Sequence, residues 1–199
     1  MASPHRNVQA YTAGKILRIL SSPDTSARKA ALANLRRGIG HEPGAIPQLW
    51  GEYLLDMPEE MYGKNGNPSR EEWAIYTALT LFALHQQGHD PALEPMHCTG
   101  QRIGAAVGRL VEDENDLERV MRRLNAAATA NTPTALAHYL RGLIQLLRAS
   151  SIPVDYADLA GDIYLYQLSD YSGQVRLKWG QDFYRQYHKK SINKESEES

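Results

Sequence analysis

The sequence predicts an all-α protein, with about nine helices arranged in two packed helical bundles. Apolar residues recur every three or four positions, which is the period of an amphipathic helix. Capping residues, prolines and glycines stand at the ends of those segments. No run of alternating β-branched residues is present, and the Asn65-Gly66 pair lies in a polar loop rather than between two strands.

The first half of the chain contains four predicted helices, at residues 8–20, 23–37, 43–55 and 70–87. Ser22-Pro23-Asp24 is typical of a helix start, and Gly38 of a helix end. Ser69 and Glu72 predict a capping box, in which the serine covers a free amide and the glutamate bonds back to the serine. The Gly- and Asn-rich segment before Ser69 is predicted to be a loop.

The second half contains five predicted helices, at residues 100–111, 115–130, 134–149, 156–168 and 173–188. Pro133 and Pro153 stand at or just before helix starts, where a missing amide costs little, and Asp155 is a predicted N-cap. The Pro-containing segment 88–99 indicates a boundary between an N-terminal bundle, 1–90, and a C-terminal bundle, 97–190. The acidic segment 191–199 is predicted to be a disordered tail.

Composition excludes several classes of protein. The 199 residues are 42% hydrophobic and 23% charged, which is typical of a globular chain. We find neither an apolar run of the ~20 residues that span a bilayer nor the apolar core of a signal peptide at the polar N-terminus. The single cysteine, Cys98, permits no internal disulfide, so we expect a cytoplasmic protein.

Basic residues are spaced so that they share helix faces. Arg102 and Arg109 are seven positions apart, as are Arg141 and Arg148, and positions at this spacing lie within ~20° of each other around a helix. The net charge is −1, with many acids placed in caps, loops and the tail. The predicted nucleic-acid-binding residues are Arg28, Lys29, Arg36, Arg37, Arg102, Arg109, Arg119, Arg122, Arg123, Arg141 and Arg148.

Two interpretations of these basic faces remain open from the residues alone. Segregated charge on a chain of near-zero net charge is typical of a basic groove, and the planar fork of arginine suits phosphate. Surface arginines are also common on solvated helix faces, where they make local ion pairs.

Metal and catalytic sites are not favoured. His85 and His89 are four residues apart and precede His97 and Cys98, but Gly88 is expected to end the helix before His89 and so break the ligand geometry. Cys98 has no evident activating neighbour.

A second metal-binding pattern is provided by Asp155, Asp158 and Asp162, which share one helical face and could hold Mg²⁺. Capping by Asp155, the positive helix end near Asp158 and local pairing of Asp162 explain them more simply. We predict no catalytic residue, no metal and no cofactor.

A series of short segments, in order over about residues 27–185, resembles the CasB family, the small subunit of the type I-E CRISPR surveillance complex Cascade. The segments are Ala31-Leu32-Ala33-Asn34-Leu35-Arg36-Arg37-Gly38, Trp50, Tyr76-Thr77-Ala78-Leu79-Thr80-Leu81-Phe82-Ala83-Leu84-His85-Gln86, Ile103-Gly104, Arg122-Arg123, His138-Tyr139-Leu140-Arg141, Ile152-Pro153-Val154-Asp155-Tyr156 with Leu159-Ala160 and Asp162, and Val175-Arg176-Leu177-Lys178-Trp179-Gly180-Gln181-Asp182-Phe183-Tyr184.

The resemblance implies a non-catalytic subunit that occurs as two copies beside the subunits that hold the CRISPR RNA. Its partners would be the other Cascade subunits, CRISPR RNA, target DNA and a second copy of itself, with no membrane and no small-molecule substrate. Its basic surface would stabilise the R-loop by contacting nucleic-acid backbone, including the displaced strand. R-loop exchange is nearly balanced in energy, so modest backbone contacts can shift it.

Two other functions are considered beside this one. A helical adaptor would bind only proteins, with its arginines serving solubility. A metal-dependent phosphohydrolase would use Asp155, Asp158 and Asp162.

The last predicted helix carries a broad apolar strip. Val175, Trp179 and Phe183 lie at i, i+4 and i+8, and the strip is widened by Leu177, Tyr184 and Tyr187. So many aromatic residues on a terminal helix favour either a core helix or one that also meets another subunit.

Overall fold

Nine α-helices and two short 3₁₀ helices make up the fold of the computed structural model, which describes residues 3–197, with side chains for 3–113 and 115–190. The α-helices are α1 Pro4–Leu20, α2 Thr25–Arg37, α3 Trp50–Tyr53, α4 Arg70–His85, α5 Ile103–Gly108, α6 Glu114–Ala128, α7 Pro133–Ala149, α8 Tyr156–Tyr166 and α9 Ser169–Glu197. Across the described residues the only β-type pairing is an isolated bridge between His97 and Val154. The all-α prediction is confirmed.

Predicted helix caps account for several of these bounds. Glu72 N donates to Ser69 Oγ over 2.9 Å and Ser69 N donates to Glu72 Oε2 over 2.6 Å, so the capping box is confirmed. Asp155 Oδ1 accepts from the amides of Ala157 and Asp158, which confirms the cap of α8.

Two predicted helices are shorter than expected. The prediction of a helix at 43–55 is wrong, because this segment contains only a 3₁₀ turn at Pro47–Leu49 and the four residues of α3. Positive φ angles interrupt the segment on both sides, 90° at Gly44 and 65° at Asp56. The helix at 100–111 shrinks to the six residues of α5, because Gly100 has a φ of 83° and Arg102 is extended. The apolar pattern indicated burial in both segments, but the positive φ angles of Gly44 and Gly100 shorten the helices.

The core is built around α4, whose residues 74–85 are all buried. This helix packs against α1, α2, α7 and α8, which explains why its sequence is apolar on every face. Helices from both halves of the chain therefore share one core. The division into bundles 1–90 and 97–190 stays a prediction, and the predicted tail at 191–199 lies outside the residues whose side chains are described.

The segment predicted as the boundary is tied to the start of α8 by backbone hydrogen bonds. Val154 N donates to Met96 O over 3.1 Å, and Cys98 N donates to Val154 O over 3.2 Å. Gly100 N donates to the carboxylate of Asp155 over 2.7 Å. Asp155 thus caps α8 and also binds the backbone of the segment that precedes α5.

The apolar strip of α9 is divided between core and surface. Val175, Trp179 and Phe183 are at most 1% exposed, whereas Leu177 is 62% and Tyr184 is 44% exposed. The inner residues of the strip therefore belong to the core, and the outer residues expose apolar surface to solvent. No described helix has the length and apolar character needed to cross a membrane.

His85 connects the end of α4 to the start of α8. It is fully buried, and its Nδ1 lies 2.7 Å from the hydroxyl oxygen of Tyr156. Burial lowers the pKa of His85 from 6.5 to about 4, and burial also raises the pKa of Tyr156. His85 is therefore neutral in the folded protein at pH 5, where an unfolded chain would protonate it.

We expect His85→Asn to remove part of the acid sensitivity of the fold. The neutral histidine contributes stability above its unfolded pKa, and this is lost as pH falls through the folded value. The free energy of unfolding of wild type minus that of His85→Asn should fall by about 3 kcal/mol between pH 6.5 and pH 4. Urea unfolding of both proteins across this range measures it, and a difference that does not change with pH would contradict the assignment.

Candidate nucleic-acid interface

The predicted basic residues divide by the contacts they make. Arg102 Nη1 lies 3.6 Å from Asp182 Oδ2, Arg122 Nη2 lies 2.8 Å from Glu118 Oε1, and Arg119 pairs with Asp116. Arg119 and Arg122 thus make the local ion pairs that solvated helix faces are expected to make. Exposed pairs of this kind contribute about 0–1 kcal/mol, so a phosphate can replace the carboxylate at little cost.

Two of the predicted residues bond to neutral groups instead. Arg28 Nη1 lies 3.3 Å from Leu20 O at the end of α1, where it satisfies a carbonyl that the helix leaves open. Arg148 Nη1 donates to Gln87 Oε1 over 3.2 Å, and its carbonyl oxygen lies 3.3 Å from His89 Nε2. Both arginines are half-buried and join neighbouring elements.

The remaining six make no ion pair with any acidic side chain that the structure describes: Lys29, Arg36, Arg37, Arg109, Arg123 and Arg141. All are exposed except Arg36, which is half-buried. Guanidinium groups without a carboxylate partner are the ones free to bind phosphate.

The fold brings the end of α2 beside the middle of α7. Arg36 and Arg37 form the last turn of α2, and the chain then turns through Gly38 and Gly40. Arg141 Nη1 lies 3.9 Å from the point where a β-carbon on Gly40 would be. Arg141 therefore lies beside the turn that directly follows Arg36 and Arg37, although it is about a hundred positions away in the chain.

Gly38 allows this turn to lie close to α4. A β-carbon there would lie 2.7 Å from the hydroxyl of Tyr76 and 2.9 Å from Thr80 Cγ2, so any larger residue would push the turn away from α4. The hydroxyl of Tyr76 donates to Gly38 O over 2.9 Å and fixes the turn. Between this turn, α4 and α7 lies a pocket of about 130 Å³.

Arg102 and Arg109 lie at the two ends of a short helix rather than within one long helix. They flank the six residues of α5, with Arg102 at its N-cap and Arg109 at its C-cap. Arg109 instead borders a second, wider depression together with Lys190. The seven-residue rule assumes that both residues are helical, and Arg102 is extended.

Some basic side chains near these sites were not predicted. Arg185 shares Asp182 with Arg102, at 3.4 Å, and Lys190 Nζ donates to Val111 O over 2.8 Å. Arg185 falls in the predicted helix 173–188, which was considered for its apolar strip, and Lys190 lies two positions beyond its predicted end. The contact of Lys190 with Val111 depends on how α9 packs against the segment after α5, which sequence spacing does not report, whereas Arg185 and Asp182 are three positions apart on one helix.

The candidate Mg²⁺ carboxylates have other partners. Asp158 and Asp162 both accept from Lys178 Nζ, over 2.9 Å and 2.7 Å, and Asp162 Oδ2 accepts from Trp179 Nε1 over 2.7 Å. Burial, followed by the neighbouring Asp158, raises the pKa of Asp162 to about 6, against the opposing effect of Lys178. Burial by itself would lower the pKa of Lys178, but its two carboxylate partners outweigh burial and raise it. A cation thus already occupies the place that a metal would take.

The histidines near the boundary are also engaged. His97 Nδ1 accepts from Tyr156 N over 3.1 Å, and His89 Nδ1 lies 3.0 Å from Glu94 Oε2. Among the described residues no three His, Cys, Asp or Glu side chains are grouped so as to hold a metal ion. The absence of a metal site, a cofactor and catalysis stays a prediction.

The chain is similar in overall fold to solved structures of CasB proteins. CasB from Thermobifida fusca superposes with a TM-score of 0.75 at 32% identity, over 89% of this chain and 97% of that one. CasB from M. ruber gives a TM-score of 0.65 at 21% identity, over 94% and 97% of the two chains. CasB from Thermus thermophilus gives 0.63 at 20% identity, over 92% and 99%. At this level of identity, the M. ruber and Thermus thermophilus structures show the shared fold alone.

The class is thus that of an all-α CRISPR-associated protein. The model of the CRISPR-associated protein Cse2 family matches residues 31–184. The chain belongs to this family, and the resemblance to CasB noted in the sequence is confirmed. No match was found among curated proteins.

Proposed function

We propose that this protein is a non-catalytic subunit of a type I-E Cascade complex that binds nucleic-acid backbone and stabilises the R-loop, including the displaced DNA strand. Membership of the CRISPR-associated family supports a place in a CRISPR complex. The observation that supports backbone binding is the set of six basic side chains without a described acidic partner. Phosphate contacts of this kind hold a strand without reading its sequence.

The proposed partners are the other Cascade subunits, CRISPR RNA, target DNA and a second copy of this chain, in the cytoplasm. Leu177 and Tyr184 on the outer face of α9 provide exposed apolar area for a protein contact. Aromatic side chains commonly anchor such contacts. Ordering along a guide RNA would raise the effective concentration of two copies that associate weakly in isolation.

We expect the isolated protein to bind single-stranded DNA weakly, with an affinity that falls steeply as salt rises. Arg37→Ala/Arg141→Ala should weaken binding to all sequences alike. Each lost phosphate contact should reduce the slope of log K against log salt by about 0.7. Arg122→Ala/Arg123→Ala on α6 should act in the same direction. Fluorescence anisotropy over a salt series measures both quantities.

Arg18→Ala provides a control with the same type of charge change. Arg18 is exposed and pairs with Asp56 over 2.7 Å, and it is outside the proposed set. Binding that is independent of salt, or double variants that behave like Arg18→Ala, would favour the adaptor function over nucleic-acid binding. A circular-dichroism spectrum for each variant confirms that the fold is retained.

A further inference from the structure

The pocket between the 38–41 turn, α4 and α7 has about the volume that holds a single aromatic ring. Its volume is about 130 Å³, and a protein cavity of about 150 Å³ takes up one benzene molecule. Trp73, Thr77 and Thr80 of α4 and Ala137 of α7 contribute to its walls. The site is therefore too small for most cofactors and suits one small planar group.

The rim of this pocket is rich in groups that attract an anionic chain. Arg141, His41 and His138 line it, and Glu42 is the acidic residue among the lining side chains. Arg37 directly precedes the turn that forms one wall. A planar group attached to a phosphate backbone would place its charge beside these side chains while its ring entered the pocket.

We propose that this pocket holds one unstacked pyrimidine base of a single strand, whose flanking phosphates are bound by Arg141 and Arg37. The inference rests on the proposed backbone binding and adds to it a site for the base. Single-strand binding proteins commonly combine a basic track with aromatic side chains that accept bases. Trp73, which is half-buried at the pocket, provides the aromatic surface, and the imidazoles of His41 and His138 provide polar groups at the rim.

Hydrogen bonds and burial hold several residues of the pocket wall in place. Tyr76 donates its hydroxyl to Gly38 O over 2.9 Å, and Thr80 Oγ1 donates to Thr77 O over 3.0 Å. Tyr76, Thr77 and Thr80 are at most 4% exposed.

The test compares two probes of equal length and charge, oligothymidylate and an oligomer of abasic deoxyribose phosphate. We expect wild type to bind oligothymidylate at least about fivefold more tightly, which is the smaller effect found for one base stacked on an aromatic side chain. Ala137→Leu fills the pocket without changing charge, and should abolish this preference while leaving abasic binding unchanged. Arg141→Ala should weaken the binding of both probes.

Ala149→Leu is the matched control, because Ala149 is an exposed residue at the end of α7 and does not line the pocket. Ala149→Leu should still bind oligothymidylate more tightly than the abasic oligomer. Equal binding of both probes by wild type would overturn the pocket assignment and leave backbone binding standing, whereas no salt-dependent binding of either probe would overturn backbone binding itself. An unchanged preference in folded Ala137→Leu would also overturn the assignment, and loss of Cascade assembly in that variant would assign the pocket to a protein side chain. The comparison in wild type decides the matter if Ala137→Leu does not fold.

Discussion

Gly104→Ala should lower the free energy of unfolding by about 2 kcal/mol. A β-carbon at Gly104 would overlap the carbonyl oxygen of Trp179 and lie 3.0 Å from its carbonyl carbon. These are backbone atoms of α9, so the two helices must separate, and their separation would loosen the buried Trp179 and Phe183. Overpacking a rigid core contact costs about 1–3 kcal/mol and sometimes more, which exceeds the gain of about 1 kcal/mol for replacing a helical glycine.

The helix partner supplies the matched control. Gly180 lies in α9, and a β-carbon added there would meet no atom within 4 Å. Gly180→Ala should therefore raise stability, by up to about 1 kcal/mol. Urea unfolding followed by circular dichroism measures both variants. Equal effects of the two substitutions would show that α5 and α9 are not as close as described.

Asp162→Ala should be the most damaging change among the three candidate carboxylates, with a loss of about 3 kcal/mol. Asp162 is 3% exposed, and its carboxylate accepts from both Trp179 Nε1 and Lys178 Nζ. Alanine would leave the buried indole N–H without its acceptor and the lysine with Asp158 alone. Removing one partner of a buried charged group is strongly destabilising for this reason.

Asp162→Asn separates the charge from the hydrogen bond. The amide oxygen can still accept from Trp179, so the loss at pH 7 should be smaller than for alanine. The pKa of Asp162 is raised from 3.8 to about 6, so the folded protein binds a proton between these values more readily than the unfolded chain. Wild type should gain stability relative to Asp162→Asn as pH falls from 6 towards 4.

The same variants test the absence of catalysis. We expect no Mg²⁺-dependent cleavage of nucleic acid by the pure protein, and stability or assembly as the properties that change in Asp162→Ala. Turnover that requires Mg²⁺ and disappears in a folded Asp162→Asn protein would refute the non-catalytic assignment and favour the phosphohydrolase.

Local sequence signals predicted the helices and several of their caps. The Ser69–Glu72 box and the Asp155 cap depend on residues within three positions of each other, so the sequence contains everything needed to recognise them. The helix at 43–55 was wrong because periodicity reports burial and cannot report the positive φ of Gly44.

The candidate interface was predicted as a list of basic residues, and the division of that list required the coordinates. Spacing along a helix predicts that Glu118 neighbours Arg122, four positions away. It cannot predict the contact between Arg102 and Asp182, which are far apart in the chain. The partner of Asp162 was expected nearby in sequence, whereas Lys178 lies sixteen positions away on another helix.

The sequence by itself determined the all-α class, the caps at Ser69 and Asp155 and the resemblance to CasB, because these depend on local periodicity, capping and ordered motifs. Tertiary structure decided which arginines stay without a carboxylate and which glycines allow two helices to touch. It also decided that the 38–41 turn, α4 and α7 enclose a pocket. Those properties depend on distances between residues far apart in the chain, and such distances are set by the packing of the whole core rather than by any one segment.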